Sequence, residues 1–178
     1  DTDMNSPLFY AGSPAGWISL TPGVTVDTLD NIFTAGTNAG ASLDNSTNDN
    51  ILFGRDAGAL LSGAVANSNI LMGFGAGASM VNSYNNIGIG NYTFAANTTT
   101  SRYQNSAVGH QAGRYMDSIQ NTLIGADAGK GNAATSPNLG FSNVFVGHSA
   151  GGEIEDGDYN VGVGEEAGRY IKGNRNIA

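Results

Sequence analysis

The stretch NILFGRDAG at residues 50–58 decides the fold, because the chain repeats its outline along most of its length. Further copies begin at Asn69, Asn105, Asn121, Asn143 and Asn160. A looser copy at residues 86–94 ends in Phe, a degenerate first copy ends in AG at 39–40, and another copy opens at 176. The spacing is 16 residues from Asn105 to Asn121 and 22 from Asn121 to Asn143. Such a period is typical of a solenoid that completes one coil per repeat.

Two positions are constant in the seven copies that begin with asparagine. The first-position asparagine indicates either an amide ladder between coils or a turn residue with left-handed φ, and both roles are structural. The fifth-position glycine indicates a positive φ or a tight corner. The structural repeat residues are therefore Asn50, Gly54, Asn69, Gly73, Asn86, Gly90, Asn105, Gly109, Asn121, Gly125, Asn143, Gly147, Asn160 and Gly164.

Both faces of each predicted strand are apolar. The second and fourth positions share one face and are mostly β-branched or aliphatic, so they predict the coil interior. The third position then points outward, although it holds Leu52, Leu71, Leu123 and Phe145. No helical segment could cover it, so we expect another copy of the chain to do so. On this prediction Leu71→Asp breaks the assembly and Val146→Asp breaks the coil.

Small side chains at the eighth position, mostly alanine, predict close approach at a symmetry axis. The segments between the ninth position and the next asparagine vary in length and are predicted to be outer loops. The sequence therefore predicts an all-β fold, a parallel β-solenoid of the β-roll or β-helix type, with about eight coils of 16–22 residues. We expect it to form a homotrimeric rod.

Composition limits the other classes of protein. The chain has 178 residues, 27 glycines, no cysteine and a net charge of −8. These values exclude disulfides and thiolate metal sites, and they disfavour a nucleic-acid partner. No apolar run reaches the length of a membrane span, so we expect no membrane insertion of this segment. The abrupt start and end suggest a piece of a longer polypeptide.

Residues 1–30 lie outside the repeat and are predicted to form a short N-terminal β segment, ahead of a repeat shaft at residues 31–178. Its two predicted strands are Pro7–Tyr10 and Gly16–Leu20. Trp17 is the only tryptophan of the chain and is predicted to anchor a small apolar cluster.

The unit N-φ-x-φ-G-x-x-A-G, where φ is apolar, resembles repeats of bacteriophage tail fibres and tailspikes. It is also similar to the head repeats of trimeric autotransporter adhesins, which form a three-chain parallel β-roll. The resemblance covers residues 31–178 and implies a homotrimer. It further implies a structural and adhesive role: a rigid shaft or receptor-binding region of a tail fibre on the virion, contacting a host surface glycan or protein. The alternatives are a bacterial surface adhesin and, less favoured, a tailspike glycan hydrolase.

Catalytic and metal-binding constellations are not apparent in the repeat. His110 and His148 share the sixth position, where exposure is favoured over a metal row on a trimer axis, because Arg55 and Glu165 occupy the same position. A glycosidase needs two carboxylates facing one groove. The seventh-position acids Asp56 and Asp127 are several coils apart, and adjacent acids such as Glu165 and Glu166 diverge on a strand. We therefore predict no enzyme, no cofactor and no metal.

Two other features are candidates for surface contact. Four aromatic residues precede a repeat asparagine by one or two positions and are predicted to stack between coils, with a sugar platform as the alternative: Tyr84, Tyr103, Phe141 and Tyr159. The longest insertion, residues 130–142, is predicted to project and to contact the receptor. Its candidate contact residues are Lys130, Asn132, Pro137, Asn138 and Phe141. The acidic loop that carries Glu153, Glu155, Asp156 and Asp158 is predicted to be solvated.

Overall fold

Ten short β-strands form one sheet in the described part of the chain. A computed structural model describes residues 17–21, 24–27, 32–44, 46–96, 102–132, 140–153 and 157–178, with side chains from residue 32 onward. The strands are β1 (Trp17–Thr21), β2 (Val24–Asp27), β3 (Ile32–Ala35), β4 (Ile51–Phe53), β5 (Ile70–Met72), β6 (Ile87–Ile89), β7 (Ser106–Val108), β8 (Thr122–Ile124), β9 (Val144–Val146) and β10 (Val161–Val163). Their order in the sheet is their order in the sequence.

Strands β3 to β10 are parallel, and each pairs with the next copy of the repeat in register. Leu52, for example, lies opposite Leu71. Parallel neighbours require a crossover, and here the rest of each repeat supplies it. The predicted all-β parallel β-solenoid is confirmed, and the described residues contain no helix.

The N-terminal strands differ in direction, because β1 pairs antiparallel with β2, and β2 antiparallel with β3. The predicted strand at residues 16–20 corresponds to β1, and the one at Pro7–Tyr10 lies outside the described residues. The sheet therefore continues without a break from this meander into the solenoid.

The two faces of the strands are the reverse of the prediction. Third-position Leu52, Leu71 and Phe145 are fully buried inside the coil, whereas Ile51 and Phe53 are 40% and 50% exposed. Alternation in a strand separates two faces but does not say which one the turns enclose. The expected effects of the two aspartate substitutions are therefore reversed. Leu71→Asp should disrupt the coil, because Leu71 belongs to the core. Val146→Asp should affect the assembly, because Val146 lies on the half-covered outer face.

The eighth-position alanines are also placed inside the coil, so the prediction that they mark a symmetry axis is wrong. They are fully buried in the core cluster with the third-position side chains: Ala57, Ala76, Ala112, Ala128 and Ala150. The turn that carries them lies directly across from the strand. A Cβ placed at the adjacent ninth-position Gly77 would lie 2.5 Å from Leu71 Cδ1. Small residues are needed here because the coil is narrow.

The twelfth position completes the core, although the sequence analysis assigned it to the outer loops. Among the described residues it holds apolar side chains in five coils, and these belong to the core or contact it: Leu43, Leu61, Met80, Met116 and Ile171. The backbone explains this placement, since Leu61 N donates to Gly58 O over 2.9 Å. The resulting turn brings the side chain back inward.

A ladder of buried asparagines runs through the interior. Asn86 Nδ2 donates to Asn69 Oδ1 over 3.0 Å and to the carbonyls of Tyr84 and Arg102. Asn86 Oδ1 accepts from the backbone N and the Nδ2 of Asn105. The amide-ladder interpretation is confirmed. Left-handed φ belongs instead to the residue before each asparagine: Asp49, Ser68, Asn85, Gln104, Gln120, Ser142, Tyr159 and Arg175.

The fifth-position glycines form a column at the end of the strands and have the predicted positive φ, such as 136° at Gly73. Their second property is close stacking, because a Cβ on Gly73 would lie 2.6 Å from the carbonyl carbon and oxygen of Gly90. Residues with a positive, left-handed φ also occupy the seventh and ninth positions of each coil. These corners bend the chain back on itself within a few residues.

Large and small side chains compensate one another along the core. Gly88 takes the third position of its coil, and Phe94 replaces the usual ninth-position glycine in the same coil. Phe94 is fully buried, and its Cδ2 would lie 3.1 Å from a Cβ on Gly88. The phenylalanine thus fills the space that a third-position leucine fills elsewhere, which explains the irregular copy.

Candidate functional site

The outer sheet face consists of the second- and fourth-position side chains of β3 to β10. It is apolar except for Ser106 and Thr122. Many of its side chains are large and exposed: Ile51, Phe53, Met72, Ile87, Ile89, Val108, Ile124 and Val163. With strands about 4.8 Å apart, eight strands make a face roughly 35 to 40 Å long. Contiguous apolar surface of this kind marks an interaction site.

A second feature is an open cleft of about 420 Å³ on another side of the coil. Its walls carry Tyr115, Lys130, Asn132, Glu153 and Arg169. Two of the predicted receptor-contact residues, Lys130 and Asn132, therefore lie at this cleft. Pro137 and Asn138 lie outside the described residues.

The cleft arises where one coil departs from the repeat. Asn132 takes the twelfth position, which holds an apolar side chain in or against the core in the five coils named above, and it is exposed. Gly131 and Gly152 lie beside it and are buried, and neither contributes a side chain to the space. Bonds between coils hold the walls, with Tyr115 N donating to Lys130 O over 2.8 Å and Gly131 N to Gly152 O over 3.1 Å.

The charged side chains of the cleft are paired. Lys130 Nζ lies 3.3 Å from Asp127 Oδ1, as an ion pair without the geometry of a hydrogen bond. Arg169 donates to Glu153 Oε1 from Nη2 over 2.6 Å and from Nε over 3.1 Å. This hydrogen bonding to the Glu153 carboxylate raises the pKa of Arg169 above its usual range.

The histidines and the other acids do not gather into a site. His110 and His148 are both exposed, as predicted, and His148 Nδ1 lies 3.8 Å from Glu165. Glu166 instead contacts Arg169, so the adjacent acids diverge as expected. Asp56 accepts a hydrogen bond from Asn38 Nδ2 over 3.0 Å. In the described ranges, no group of three metal-ligating side chains is close enough to hold an ion.

The aromatic column forms as two separate pairs. Tyr84 and Tyr103 stack with ring centroids 4.9 Å apart and an interplanar angle of 5°. Phe141 and Tyr159 meet edge to face at 5.2 Å. The predicted stacking between coils is confirmed for these pairs. A ring cluster that the sequence analysis did not identify joins Arg55, Phe74 and Tyr92 on successive coils, with the Arg55 guanidinium 4.2 Å from the Phe74 ring centroid.

Arg102 is a buried cation that the sequence analysis also missed. Its Nη1 donates to Phe94 O over 2.7 Å and its Nη2 to Ala96 O over 3.1 Å. Burial lowers the pKa of Arg102 to about 10, and the charge of Asp117 opposes this shift. The side chain closes the irregular coil around Phe94 rather than facing a surface, so its role is structural.

A scan against family models, a search of curated proteins and a search of solved structures each return no match. Among the described residues, the structure contains no helix long and apolar enough to cross a bilayer.

Proposed function

We propose that this chain is a rigid, non-enzymatic segment of a homotrimeric attachment fibre, of the kind that bacteriophages carry on their tails. The observation that carries the proposal is the exposed, apolar outer sheet face. The chain builds a rod with one strand per repeat, and the rod has a complete core of its own. The described residues supply no cover for this face.

A second copy of the chain is the occupant that fits best. The apolar side chains recur once per strand, so a partner must offer the same spacing over the whole length. Another solenoid of this sequence does so, and a regular helix does not, because its rise and turn differ. Three copies around one axis would bury all three faces and leave the clefts outside.

The non-enzymatic part of the proposal rests on the residues that a hydrolase would need. The repeat columns consist of asparagine, glycine, alanine and aliphatic side chains, which build the rod. In the cleft, both carboxylates are held by cations, Asp127 by Lys130 and Glu153 by Arg169. A glycosidase needs one carboxylic acid that carries a proton. A trimeric bacterial surface adhesin, the alternative host for such repeats, would use the same assembly.

Native mass spectrometry and light scattering on the purified 178-residue chain test the assembly. We expect a trimer, at three times the 18.2 kDa mass of the chain. A stable, folded monomer at micromolar concentration would contradict the proposal, and a dimer would replace the threefold arrangement with a twofold one.

A further inference from the structure

We infer that the cleft beside Tyr115 is a binding site for a neutral saccharide, which it holds without cleaving it. This inference rests on the proposed attachment function, because it names the class of surface molecule that the rod contacts. Four observations carry it: the size of the cleft, the backbone hydrogen bonds that join its walls, its mixture of an aromatic ring with polar groups, and its balanced charge.

The size and rigidity suit a small ligand. Its volume of about 420 Å³ falls within the roughly 300 to 1,000 Å³ of typical ligand sites. The floor is made by glycines without side chains, and the walls are attached to coils that are bonded to each other through the backbone. Glu153 N, for example, donates to Arg169 O over 3.1 Å. A preformed site loses little entropy when it binds a weakly interacting ligand.

The polar groups match the hydroxyls of a sugar, each of which can donate and accept one or more hydrogen bonds. Asn132 and Ser149 offer groups that do both, Asp127 and Glu153 offer acceptors, and Lys130 and Arg169 offer donors. Tyr115 adds an aromatic ring, and such a ring presents apolar area with a polar tip. This combination fits a molecule that is both hydroxylated and partly apolar on its ring face.

The charge favours a neutral sugar over an acidic one. The cleft contains two acidic and two basic residues, and each basic residue lies against a carboxylate. An anionic ligand would have to separate Arg169 from Glu153, leaving that carboxylate beside the new negative charge. A hydroxyl group can instead accept from the guanidinium or donate to the carboxylate while the pair stays intact.

The other aromatic residues are less suitable. Tyr84 and Tyr103 cover one face of each other's ring, and the Arg55 guanidinium lies over Phe74. These rings stabilise contacts between coils. Tyr115 differs because it lines an open space that contains hydrogen-bonding groups on its other sides.

Tyr170 supplies a matched control for Tyr115. Both tyrosines take the eleventh position of their coils and follow an arginine whose guanidinium lies near the ring, at 5.0 Å for Arg114 and Tyr115 and at 5.2 Å for Arg169 and Tyr170. Tyr170 is 66% exposed and does not line the cleft. Removal of its ring therefore measures the effect of losing an arginine–tyrosine contact outside the cleft lining.

The experiment is affinity electrophoresis of the assembled chain through gels cast with the neutral polysaccharides dextran, mannan or galactan, and with the anionic alginate or hyaluronan. We expect retardation in at least one neutral gel. Tyr115→Ala should weaken it about tenfold or more, which corresponds to a loss of about 1.4 kcal/mol of binding free energy or more. Tyr115→Phe should retain most of it, and Tyr170→Ala, which removes only a ring beside Arg169, should weaken it much less than Tyr115→Ala does.

No retardation in any neutral gel, retardation in anionic gels only, or equal retardation of the Tyr115→Ala variant would each overturn the inference. Native mass spectrometry of the same samples checks the assembly, so a lost saccharide site and a lost trimer can be told apart. New reducing ends in the neutral polysaccharides would overturn the claim that the site does not cleave its ligand. Folding of each variant is checked by circular dichroism before the gels are run.

Discussion

Leu123 and Ile124 are neighbours on β8, and they differ in burial. Leu123 is fully buried within the coil, whereas Ile124 is 43% exposed on the outer sheet face. The two side chains have the same composition and nearly the same hydrophobicity. The comparison teaches that apolar character alone does not separate the core of a solenoid from its contact surface. What separates them is the side toward which the chain turns after the strand.

Leu123→Asp should have the largest effect. An unpaired carboxylate at this site would lie among Ala128, Phe145 and other core side chains without a cation, at a cost of about 4 kcal/mol or more. We expect loss of the β signal in circular dichroism and an aggregated or unfolded chain. A folded protein with wild-type urea resistance would contradict the assignment of this face to the core.

Gly73→Ala should have the next largest effect, because the fifth-position glycine ends the strand and begins the inward turn. The change adds a Cβ at a φ of 136° and places it 2.6 Å from the Gly90 backbone. Strain and overpacking together should lower the free energy of unfolding by roughly 2 to 5 kcal/mol. Urea denaturation measures the loss.

Gly164→Ala is the matched control for that substitution. Gly164 has a similar φ of 131°, but a Cβ there meets nothing closer than 3.9 Å. Only the backbone strain remains, so the free energy of unfolding should fall by about 1 to 3 kcal/mol. Equal losses for the two variants would mean that close stacking of coils does not constrain the glycine column.

Asn86→Ala should have an intermediate effect on the interior. It removes the donor to the Tyr84 and Arg102 carbonyls and the acceptor for Asn105, all of them in buried surroundings. We expect a loss of about 2 to 3 kcal/mol in urea denaturation. Asn176→Ala, at the less buried end of the ladder, should cost less than half as much. A reversed order would indicate that the ladder follows the fold without stabilising it.

Ile124→Asp should have the smallest effect on the coil and a selective effect on assembly. The carboxylate can remain in water on the isolated chain, so the coil itself should lose less than about 1 kcal/mol. Within an assembly the same charge would be buried, so native mass spectrometry should detect monomers. A Leu123→Asp chain that folds, or an Ile124→Asp chain that stays trimeric, would remove the distinction between the two faces.

Part of the candidate site could be predicted from the sequence. The long insertion pointed to Lys130 and Asn132, and both line the cleft. Tyr115 and Arg169 could not be found in this way, because they reach the cleft from coils outside the insertion. The search for paired acids compared equivalent repeat positions, whereas Asp127 and Glu153 share the cleft from the seventh position of one coil and the eleventh of the next.

The sequence by itself determined the repeat, the parallel solenoid with one coil per repeat and the glycine corners, and it narrowed the asparagine to a ladder or a turn residue. Each follows from a residue type that recurs at one position, and local backbone chemistry is enough to interpret it. Only the tertiary structure decided which strand face is enclosed, that the alanines and the twelfth-position side chains belong to the core, and that Phe94 fills the space beside Gly88. These outcomes depend on where successive left-handed corners carry the chain in three dimensions, and no single repeat position contains that information.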